Sequence, residues 1–414
     1  MNILKGACVI GQSGGPTSVI NASVYGAVKT ALDSEQITSV YGAEYGIMGV
    51  LNDRLIDFGK EDPKELEYLL YTPSSELGSV RYKLKDPDED ESDYRRILEV
   101  FKKHDVRYFF LVGGNDSMDT CNKVSRYMAR SGYECRVMGI PKTIDNDLFG
   151  TDHCPGYASA AKYIATSCME VYKDATVYNT GMITIIEIMG RHAGWLTAAS
   201  ALAGLKGCGP DLIYLPERDF SLDDFLSKIK DIYSKNNHVI AAVSEGIHDR
   251  EGKFISEYGS DLATQKDAFG HSQLGGLAAF LADAAKKATG AKVRGIELSL
   301  LQRCASHCAS ATDVNEAFEA GKSAVLNAVN GMTGKMVAFN CTRSPEYSCK
   351  IEFEDLDKVA NYESKIPDEW INETGDGVLD PFIDYALPLI QGEWNPPKED
   401  ALPRFARLKK VIAK

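Results

Sequence analysis

Short runs of apolar and β-branched residues recur along the chain, and most are followed by glycine, proline or polar residues. These runs predict strands at 7–10, 108–112, 137–140, 182–188, 212–215, 239–243 and 293–298. Stretches between them with helical character predict helices at 19–32, 92–104, 119–131, 157–172, 221–234 and 274–289. Strands that alternate with helices of this length are typical of parallel sheets covered by helices on both faces. Continuous apolar strands favour the same α/β fold, because a strand buried on both faces has no polar side.

The same alternation of strands and helices predicts two Rossmann-like lobes with parallel-rich sheets, followed by a C-terminal extension. We expect one lobe at residues 1–150, completed by a return segment at 291–335, and the other at 151–290. Residues 341–414 contain seven prolines and little alternation of strand and helix, so residues 336–414 are expected to form a wrap or lid. Polar, glycine-rich segments stand where strands give way to helices. In open α/β sheets, ligands bind at this carboxyl edge.

Composition narrows the class of protein. The chain has 414 residues, 44% of them hydrophobic, and a formal charge of −13. This charge argues against a protein that coats nucleic acid or an anionic membrane, because both need a basic surface. No apolar run approaches the ~20 residues that span a bilayer, and the first residues lack the apolar core of a secretory signal. The ten cysteines include no C-x-x-C pair, and we expect a cytoplasmic protein with reduced thiols.

Two glycine-rich turns follow predicted strands in the first lobe. The glycines of GQSGGPTS, including Gly14, can let backbone N–H groups approach a phosphate, although an ordinary tight turn fits this segment equally well. In GGNDS, Gly114 is followed by the oxygen donors Asn115 and Asp116, which suit Mg²⁺. Asp116 or Ser117 could instead cap the next helix, and this segment taken alone favours the cap.

The segment PKTIDND carries the strongest chemical signal. Directly after the predicted strand at 137–140, it places the cation of Lys142, the hydroxyl of Thr143 and two carboxylates, Asp145 and Asp147, within seven residues. A turn needs about one such polar residue. Like charges this close cost free energy unless cations, metal or hydrogen-bond donors compensate them. The segment therefore indicates a functional site.

Three further segments supply charged groups at predicted strand ends. Arg191 in MGRHAGW is placed to bind a phosphate through two guanidinium nitrogens at once, or else to form a surface salt bridge. Glu245 in SEG could accept hydrogen bonds from substrate hydroxyls, and Arg294 and Arg303 flank the apolar stretch that ends in LLQR. Cations, carboxylates and glycine turns at the same sheet edges are what phosphoryl transfer requires, since it needs charge neutralisation and a base for the attacking hydroxyl.

GGNDS, PKTIDND, MGRHAGW, SEG and LLQR, in this order and spacing, resemble the 6-phosphofructokinase family over about residues 5–335. The resemblance implies two α/β lobes with the active site in the cleft between them. It implies Mg²⁺-dependent transfer of a phosphoryl group to the 1-hydroxyl of fructose 6-phosphate, a step of glycolysis. It also implies a homo-oligomer, either a dimer or a tetramer.

Positions 116 and 142 make the resemblance more specific. Both are usually glycine in the ATP-dependent members, so the pair Asp116 and Lys142 looks like the pyrophosphate-dependent branch. A carboxylate at 116 would oppose the α-phosphate of a nucleotide by charge and bulk. Lys142 would supply a cation to pyrophosphate.

The resemblance also assigns roles to individual residues. Asp145 is the expected general base, with Thr143 and Lys142 as the other expected catalytic residues. The expected donor site consists of Gly14, Arg81, Gly114, Asp116 and Lys142, with Asn115 as the metal ligand. The sugar phosphate would be bound by Thr143, Asp145, Met189, Gly190, Arg191, Glu245, Arg294, Leu300 and Arg303.

Three departures from the family pattern keep alternatives open. Asn115 replaces the usual aspartate on the Mg²⁺ side, and Ser299 and Leu300 replace a glycine and a histidine or tyrosine. Met182 replaces a basic residue that, like the equivalent of Arg294, reaches in from a neighbouring subunit. Another acceptor, such as sedoheptulose 7-phosphate, is therefore an alternative, as are an ATP-dependent enzyme and a non-catalytic sugar-phosphate sensor. A nicotinamide dehydrogenase ranks last, because the G-x-G-x-x-G motif with its downstream acidic residue is lacking.

Overall fold

Strands and helices alternate along most of the chain in this computed structural model, which describes residues 4–259, 276–359 and 362–414. The strands are β1 (Gly6–Gln12), β2 (Ile37–Ala43), β3 (Leu55–Asp57), β4 (Val106–Gly113), β5 (Arg136–Pro141), β6 (Met182–Ile188), β7 (Leu212–Tyr214), β8 (His238–Ser244), β9 (Val293–Glu297), β10 (Lys335–Thr342), β11 (Ser348–Asp355), β12 (Lys398–Glu399) and β13 (Leu402–Pro403). The helices are α1 (Ile20–Leu32), α2 (Ile47–Leu51), α3 (Pro63–Glu67), α4 (Ser92–Lys103), α5 (Asn115–Arg130), α6 (Tyr157–Ala175), α7 (Trp195–Ala198), α8 (Leu222–Asn236), α9 (Leu277–Thr289), α10 (Leu301–Cys304), α11 (Ala311–Val329), α12 (Leu356–Val359) and α13 (Asp380–Ala386). Across the described ranges, none of the helices combines the length and apolarity needed to cross a membrane.

Two sheets form the framework of the described residues. The first has the strand order β11-β10-β5-β4-β1-β2-β3, in which β10 through β2 run parallel and the edge strands β11 and β3 run antiparallel. The second has four parallel strands in the order β7-β8-β6-β9. Both sheets are covered on both faces: along β1, for example, Val9 packs into one core while Cys8 and Ile10 pack into the opposite one. The predicted two-lobe α/β fold is thus confirmed.

Each predicted strand and helix is present with ends shifted by a few residues, and the first two residues of the helix predicted at 274–289 lie outside the described ranges. Strands β2, β3, β10 and β11 and helix α11 were not predicted from the sequence, nor were the short elements α2, α3, α7, α10, α12, α13, β12 and β13. β2 interrupts its apolar residues with Thr38 and Ser39, and β11 exposes every second residue in its first half. Such edge and near-edge strands lack the continuous apolar run that identifies a central strand.

Two of the expected domain boundaries differ in the structure. β9 pairs with β6 in the second sheet, so the return to the first lobe begins after it and not at residue 291. β10 then pairs with β5, and β11 with β10, so residues 336–355 belong to the first sheet and not to a wrap. Hydrogen bonding to sheet edges, which composition does not reveal, decides both assignments. The remaining C-terminal chain crosses both lobes, because Phe382 of α13 packs in a core of the second and Ile412 bridges to Ile56 of the first.

Candidate active site

A cavity of about 600 Å³ lies between the lobes, where the loops after β1, β4 and β5 face those after β6 and β8. Of the residues singled out from the sequence, those that line it are Gly14, Arg81, Gly114, Asn115, Asp116, Lys142, Thr143, Asp145, Asp147, Met189, Arg191, Glu245 and Arg303. The parallel strands explain this convergence, because their carboxyl ends meet at one edge of each sheet.

Lys142 joins two of the loops from the first lobe. Its backbone N–H donates to the Gly113 carbonyl (3.0 Å), and its ammonium donates to the Gly15 carbonyl (2.6 Å). Gly14 has a φ of +78°, and a Cβ there would come within 3.2 Å of Lys142 Nζ, so glycine leaves room for the ammonium. Burial lowers the pKa of Lys142 to about 8, although the charges of Asp145 and Asp147 oppose that shift. The side chain is therefore a buried cation at neutral pH.

Three half-buried carboxyl groups share the cavity with this cation. Burial raises the pKa of Asp145, against the opposing charges of Lys142 and Arg303. Burial, followed by the neighbouring charge of Asp145, raises the pKa of Asp147 to about 7. Burial likewise raises the pKa of Glu245 to about 7, and the Gly190 N–H, 3.3 Å from Glu245 Oε1, opposes that shift. With pKa values of about 7, Asp147 and Glu245 can exchange protons near neutral pH.

Asn146 determines how the two aspartates of PKTIDND are presented. It has a left-handed φ of +57°, which asparagine tolerates better than most residues. Its side chain faces the protein interior, where Oδ1 accepts from the Cys154 N–H (2.8 Å) and Nδ2 donates to the Tyr385 hydroxyl (2.7 Å). The flanking residues Asp145 and Asp147 both line the cavity. The sequence analysis gave Asn146 no role of its own.

The first turn of α5 carries the expected metal-binding residues. The helix begins at Asn115, earlier than predicted, and Gly114 is its N-cap without a side-chain capping bond. The alternative in which Asp116 or Ser117 caps the helix is therefore wrong. Asn115 Oδ1 is buried and has no hydrogen-bond partner among the described residues. An unsatisfied oxygen beside the carboxylates of Asp116 and Asp145 in one cavity fits Mg²⁺, which prefers oxygen ligands.

The loops after β6 and β8 meet closely in the second lobe. A Cβ at Gly246 would come within 1.9 Å of the Arg191 carbonyl oxygen, so only glycine permits this approach. The Met189 N–H donates to Oε1 of Gln302 (3.3 Å), a buried residue that the sequence analysis did not single out. These contacts put Arg191 and Glu245 in the same wall of the cavity.

Three expected sugar-phosphate residues do not line the cavity. Gly190 is buried behind its wall. Arg294 is exposed on β9, an edge strand of the second sheet, and Leu300 is 54% exposed just before α10. The edge position of β9 places Arg294 outside the cleft of its own chain.

Glu363 lines the cavity although the sequence analysis missed it. It comes from the C-terminal segment, which is held against residues 141–147, the PKTIDND segment that carries the expected general base and is called the catalytic loop below. The contacts are a bridge between Leu148 and Glu363 and donation from the Ser364 N–H to the Asp147 carbonyl (2.8 Å). No local motif marks this residue, because its position depends on contacts across more than two hundred residues of chain.

The chain matches known proteins over nearly its full length. The phosphofructokinase family model matches residues 7–326. Pyrophosphate--fructose 6-phosphate 1-phosphotransferase of Xanthomonas campestris is 43% identical over 414 residues and covers 98% of this chain and 97% of that protein. The protein of the same name from Halomonas elongata is 42% identical over 403 residues, with 96% and 95% covered. The crystal structure of a pyrophosphate-dependent phosphofructokinase from Nitrosospira multiformis aligns with a TM-score of 0.90 at 38% identity, over 99% of this chain and 98% of that one. Since the family model spans most of the chain and these relatives extend over almost all of it, the protein belongs to the phosphofructokinase family.

Proposed function

We propose that this protein catalyses the reversible, Mg²⁺-dependent transfer of a phosphoryl group from pyrophosphate to the 1-hydroxyl of fructose 6-phosphate, with fructose 1,6-bisphosphate and phosphate as products. The single observation that carries the proposal is the presence of Asp116, Lys142 and the half-buried Asp145 in one cavity. The names of the relatives, which specify pyrophosphate and fructose 6-phosphate, support it.

Asp145 acts as the general base in this proposal. Its carboxylate takes the proton from the sugar 1-hydroxyl, the oxygen forms a bond to one phosphorus of pyrophosphate, and the bridging P–O bond breaks to release phosphate. The raised pKa of Asp145 suits this task, because a stronger base accepts the proton more readily.

A group of cations neutralises the transferred phosphoryl group and its leaving group. Arg81 and Arg303 line the cavity with Lys142, and the pKa of Arg303 is lowered by burial and by the charge of Arg81. Like charges brought this close favour binding of an anion between them. Mg²⁺, when bound at Asn115, supplies further charge neutralisation to the phosphate oxygens.

Asp116 disfavours a nucleotide donor in this proposal. Its side chain is exposed in the first turn of α5 and lines the cavity. A third phosphate group carrying adenosine would meet this carboxylate and be repelled by its charge, whereas pyrophosphate is too short to reach it. Specificity often depends on such a repulsive contact with the wrong ligand.

Arg191, Glu245 and Met189 bind the sugar phosphate from the second lobe, and Arg294 and Leu300 serve a neighbouring copy in a homo-oligomer. The exposure of Arg294 on β9 and of Leu300 and Leu301 beside it, at 54% and 59%, supports an interface there. All ten cysteines are free thiols, which supports the cytoplasmic, reducing location included in the proposal.

The decisive experiment compares donors. Purified protein with Mg²⁺ and fructose 6-phosphate should form fructose 1,6-bisphosphate with a much higher kcat/KM for pyrophosphate than for ATP. The double variant Asp116→Gly/Lys142→Gly should lose pyrophosphate activity and shift its preference towards ATP. As a matched control, Asp283→Ala/Lys287→Ala removes an exposed ion pair on α9 (2.6 Å) and should behave as the unmodified protein. A higher kcat/KM with ATP in the unmodified protein would refute the donor assignment.

A further inference from the structure

A second cluster of chemically reactive side chains lies outside the active-site cavity. It contains Asp152, His153 and Cys341, whose potential metal-ligand atoms all lie within 4.8 Å of one another. His153 is 1% exposed, Cys341 is part of β10, and none of the three lines the cavity described above. The catalytic reaction proposed above does not use them.

Both ring nitrogens of His153 face carboxylates, and Nδ1 also faces the Cys341 thiol. Its Nε2 lies 2.7 Å from Glu316 Oε2, and its Nδ1 lies 3.0 Å from Asp152 Oδ1 and 3.8 Å from Cys341 Sγ. A carboxylate on one ring nitrogen retains the proton there and leaves the other nitrogen to bind metal. In a tetrahedral zinc site, with bonds of about 2.3 Å to sulfur and about 2.0 Å to nitrogen, the two ligand atoms are about 3.5 Å apart. The observed separation of 3.8 Å between Nδ1 and Sγ is close to that value.

A second thiol stands beside the cluster. Cys349 of β11 is directly opposite Cys341 in the antiparallel pair of β10 and β11. Side chains of directly opposed residues project from the same face of a sheet, and the two thiols are within hydrogen-bonding distance of each other. The Cys349 thiol is thus placed to supply a fourth ligand. Two thiols with an imidazole and a carboxylate form a ligand set typical of Zn²⁺.

The surrounding charges can balance a bound divalent cation. Arg343 binds both oxygens of Asp152 (2.8 and 2.6 Å), and Tyr347 donates to Glu316 Oε1 (2.6 Å). When Cys341 binds a cation as a thiolate, the cluster carries three negative charges, on Cys341, Asp152 and Glu316, against the single positive charge of Arg343. A divalent cation bound together with neutral imidazole then balances these charges.

The cluster connects to the catalytic loop through two hydrogen bonds. The Tyr385 hydroxyl donates to the Asp152 carbonyl (2.9 Å) and accepts from Asn146 Nδ2 (2.7 Å). Asn146 separates Asp145 from Asp147. A cation that tied Asp152 and His153 to β10 would therefore stabilise the segment on which the catalytic loop rests.

We propose that Asp152 Oδ1, His153 Nδ1 and Cys341 Sγ, with Cys349 Sγ beside them, form a binding site for one thiophilic divalent cation, best represented by Zn²⁺. This site is distinct from the Mg²⁺ site at Asn115, which offers oxygen ligands alone. Its role is structural: it joins the loop behind PKTIDND to the β10–β11 hairpin.

Zinc binding to the full chain tests the proposal. Protein stripped with a chelator and kept reduced should, after addition of Zn²⁺ in buffer containing Mg²⁺ and gel filtration, retain one Zn²⁺ per chain by elemental analysis. Cys341→Ser should lower the affinity for Zn²⁺ by more than the ~10–100-fold that loss of an outer partner costs, and Cys349→Ser should lower it as well. Cys308→Ser, which alters a thiol 3.8 Å from Thr166 Oγ1 on another surface, should bind Zn²⁺ normally.

A spectroscopic readout separates loss of the site from loss of the fold. Co²⁺ added to the stripped protein should produce thiolate-to-cobalt charge-transfer absorption, which Cys341→Ser should abolish while its circular dichroism stays unchanged. If Cys341→Ser unfolds, Cys349→Ser should still weaken that absorption. Absence of tight Zn²⁺ binding by the reduced protein, or Zn²⁺ affinity unchanged in both serine variants, would overturn the proposal. Neither result bears on the donor assay, so this inference and the proposed function can fail separately.

Discussion

Replacing Lys142 with methionine removes a buried charge from the active site and keeps a side chain of similar length. Burial holds the pKa of Lys142 at about 8 instead of 10.5. This difference corresponds to about 3 kcal/mol of unfavourable free energy for the charged form in the folded protein. Because the pKa is lowered by folding, the cost is present in full below pH 8 and disappears as the pH rises towards 10.5. At pH 7 we therefore expect Lys142→Met to unfold at the same temperature as the unmodified protein or at a higher one.

Activity should move in the opposite direction. Loss of one preorganised cation or donor that faces developing charge costs about 10²–10³ in kcat, or about 3–4 kcal/mol. We expect a reduction of that size in kcat with pyrophosphate, because Lys142 Nζ is fixed by the Gly15 carbonyl at 2.6 Å in the cavity that holds Asp145. Stability and activity would then respond to the same charge with opposite sign.

Two measurements on each variant check this reasoning. Steady-state formation of fructose 1,6-bisphosphate gives kcat and KM for pyrophosphate, and thermal unfolding at pH 7 gives stability. Lys142→Arg, which retains a cation, is the matched control and should keep more activity than Lys142→Met. If Lys142→Met retained kcat/KM within tenfold, or if it lost activity only together with a lowered unfolding temperature, a structural role would replace the catalytic one.

Three further predictions follow from the same geometry. Asp145→Asn should lower kcat by about 10²–10⁴ because it removes the base. The variant should still bind fructose 6-phosphate in a calorimetric titration, and loss of that binding would contradict the role as a base. The kcat/KM should rise with pH up to about 7, because Asp147 and Glu245 lose their protons. It should fall above about pH 8, because Lys142 loses its proton. Lys142→Arg should move this alkaline decrease to higher pH, and an unchanged decrease would exclude Lys142 as its source. Gly246→Ala should lower the free energy of unfolding in urea by about 2–3 kcal/mol, because its Cβ would come within 1.9 Å of a backbone oxygen. Gly204→Ala, whose Cβ would meet nothing within 4 Å, should be tolerated, and equal losses in both variants would refute the steric argument.

Much of the active site was predictable because its residues follow strands that are easy to recognise from their apolar sequence. β4, β5, β6 and β8 are largely apolar, and GGNDS, PKTIDND, MGR and SEG lie at their carboxyl ends. Parallel strands bring their carboxyl ends to one edge, so local sequence was enough to expect Lys142, Asp145 and Arg191 near each other.

The residues that position these groups were less visible. Asn146 and Gln302 act through bonds to Tyr385 and Met189, partners that are distant in sequence. In the sequence, Gly246 stood out only as part of SEG. Its closeness to Arg191 depends on how the adjacent parallel strands β6 and β8 end. Such roles depend on distances between segments and not on the residue types within one.

The sequence by itself determined the α/β class, the strands that carry the chemistry and the set of charged groups for phosphoryl transfer, since these depend on local apolar runs and on the motifs that follow them. Only the tertiary structure decided that β9 belongs to the second sheet with Arg294 exposed, that β10 and β11 extend the first sheet, and that Glu363 enters the cavity. The physical reason is that sheet edges are completed by backbone hydrogen bonds, which nearly every residue type can make. Composition therefore does not specify which edge a strand will join.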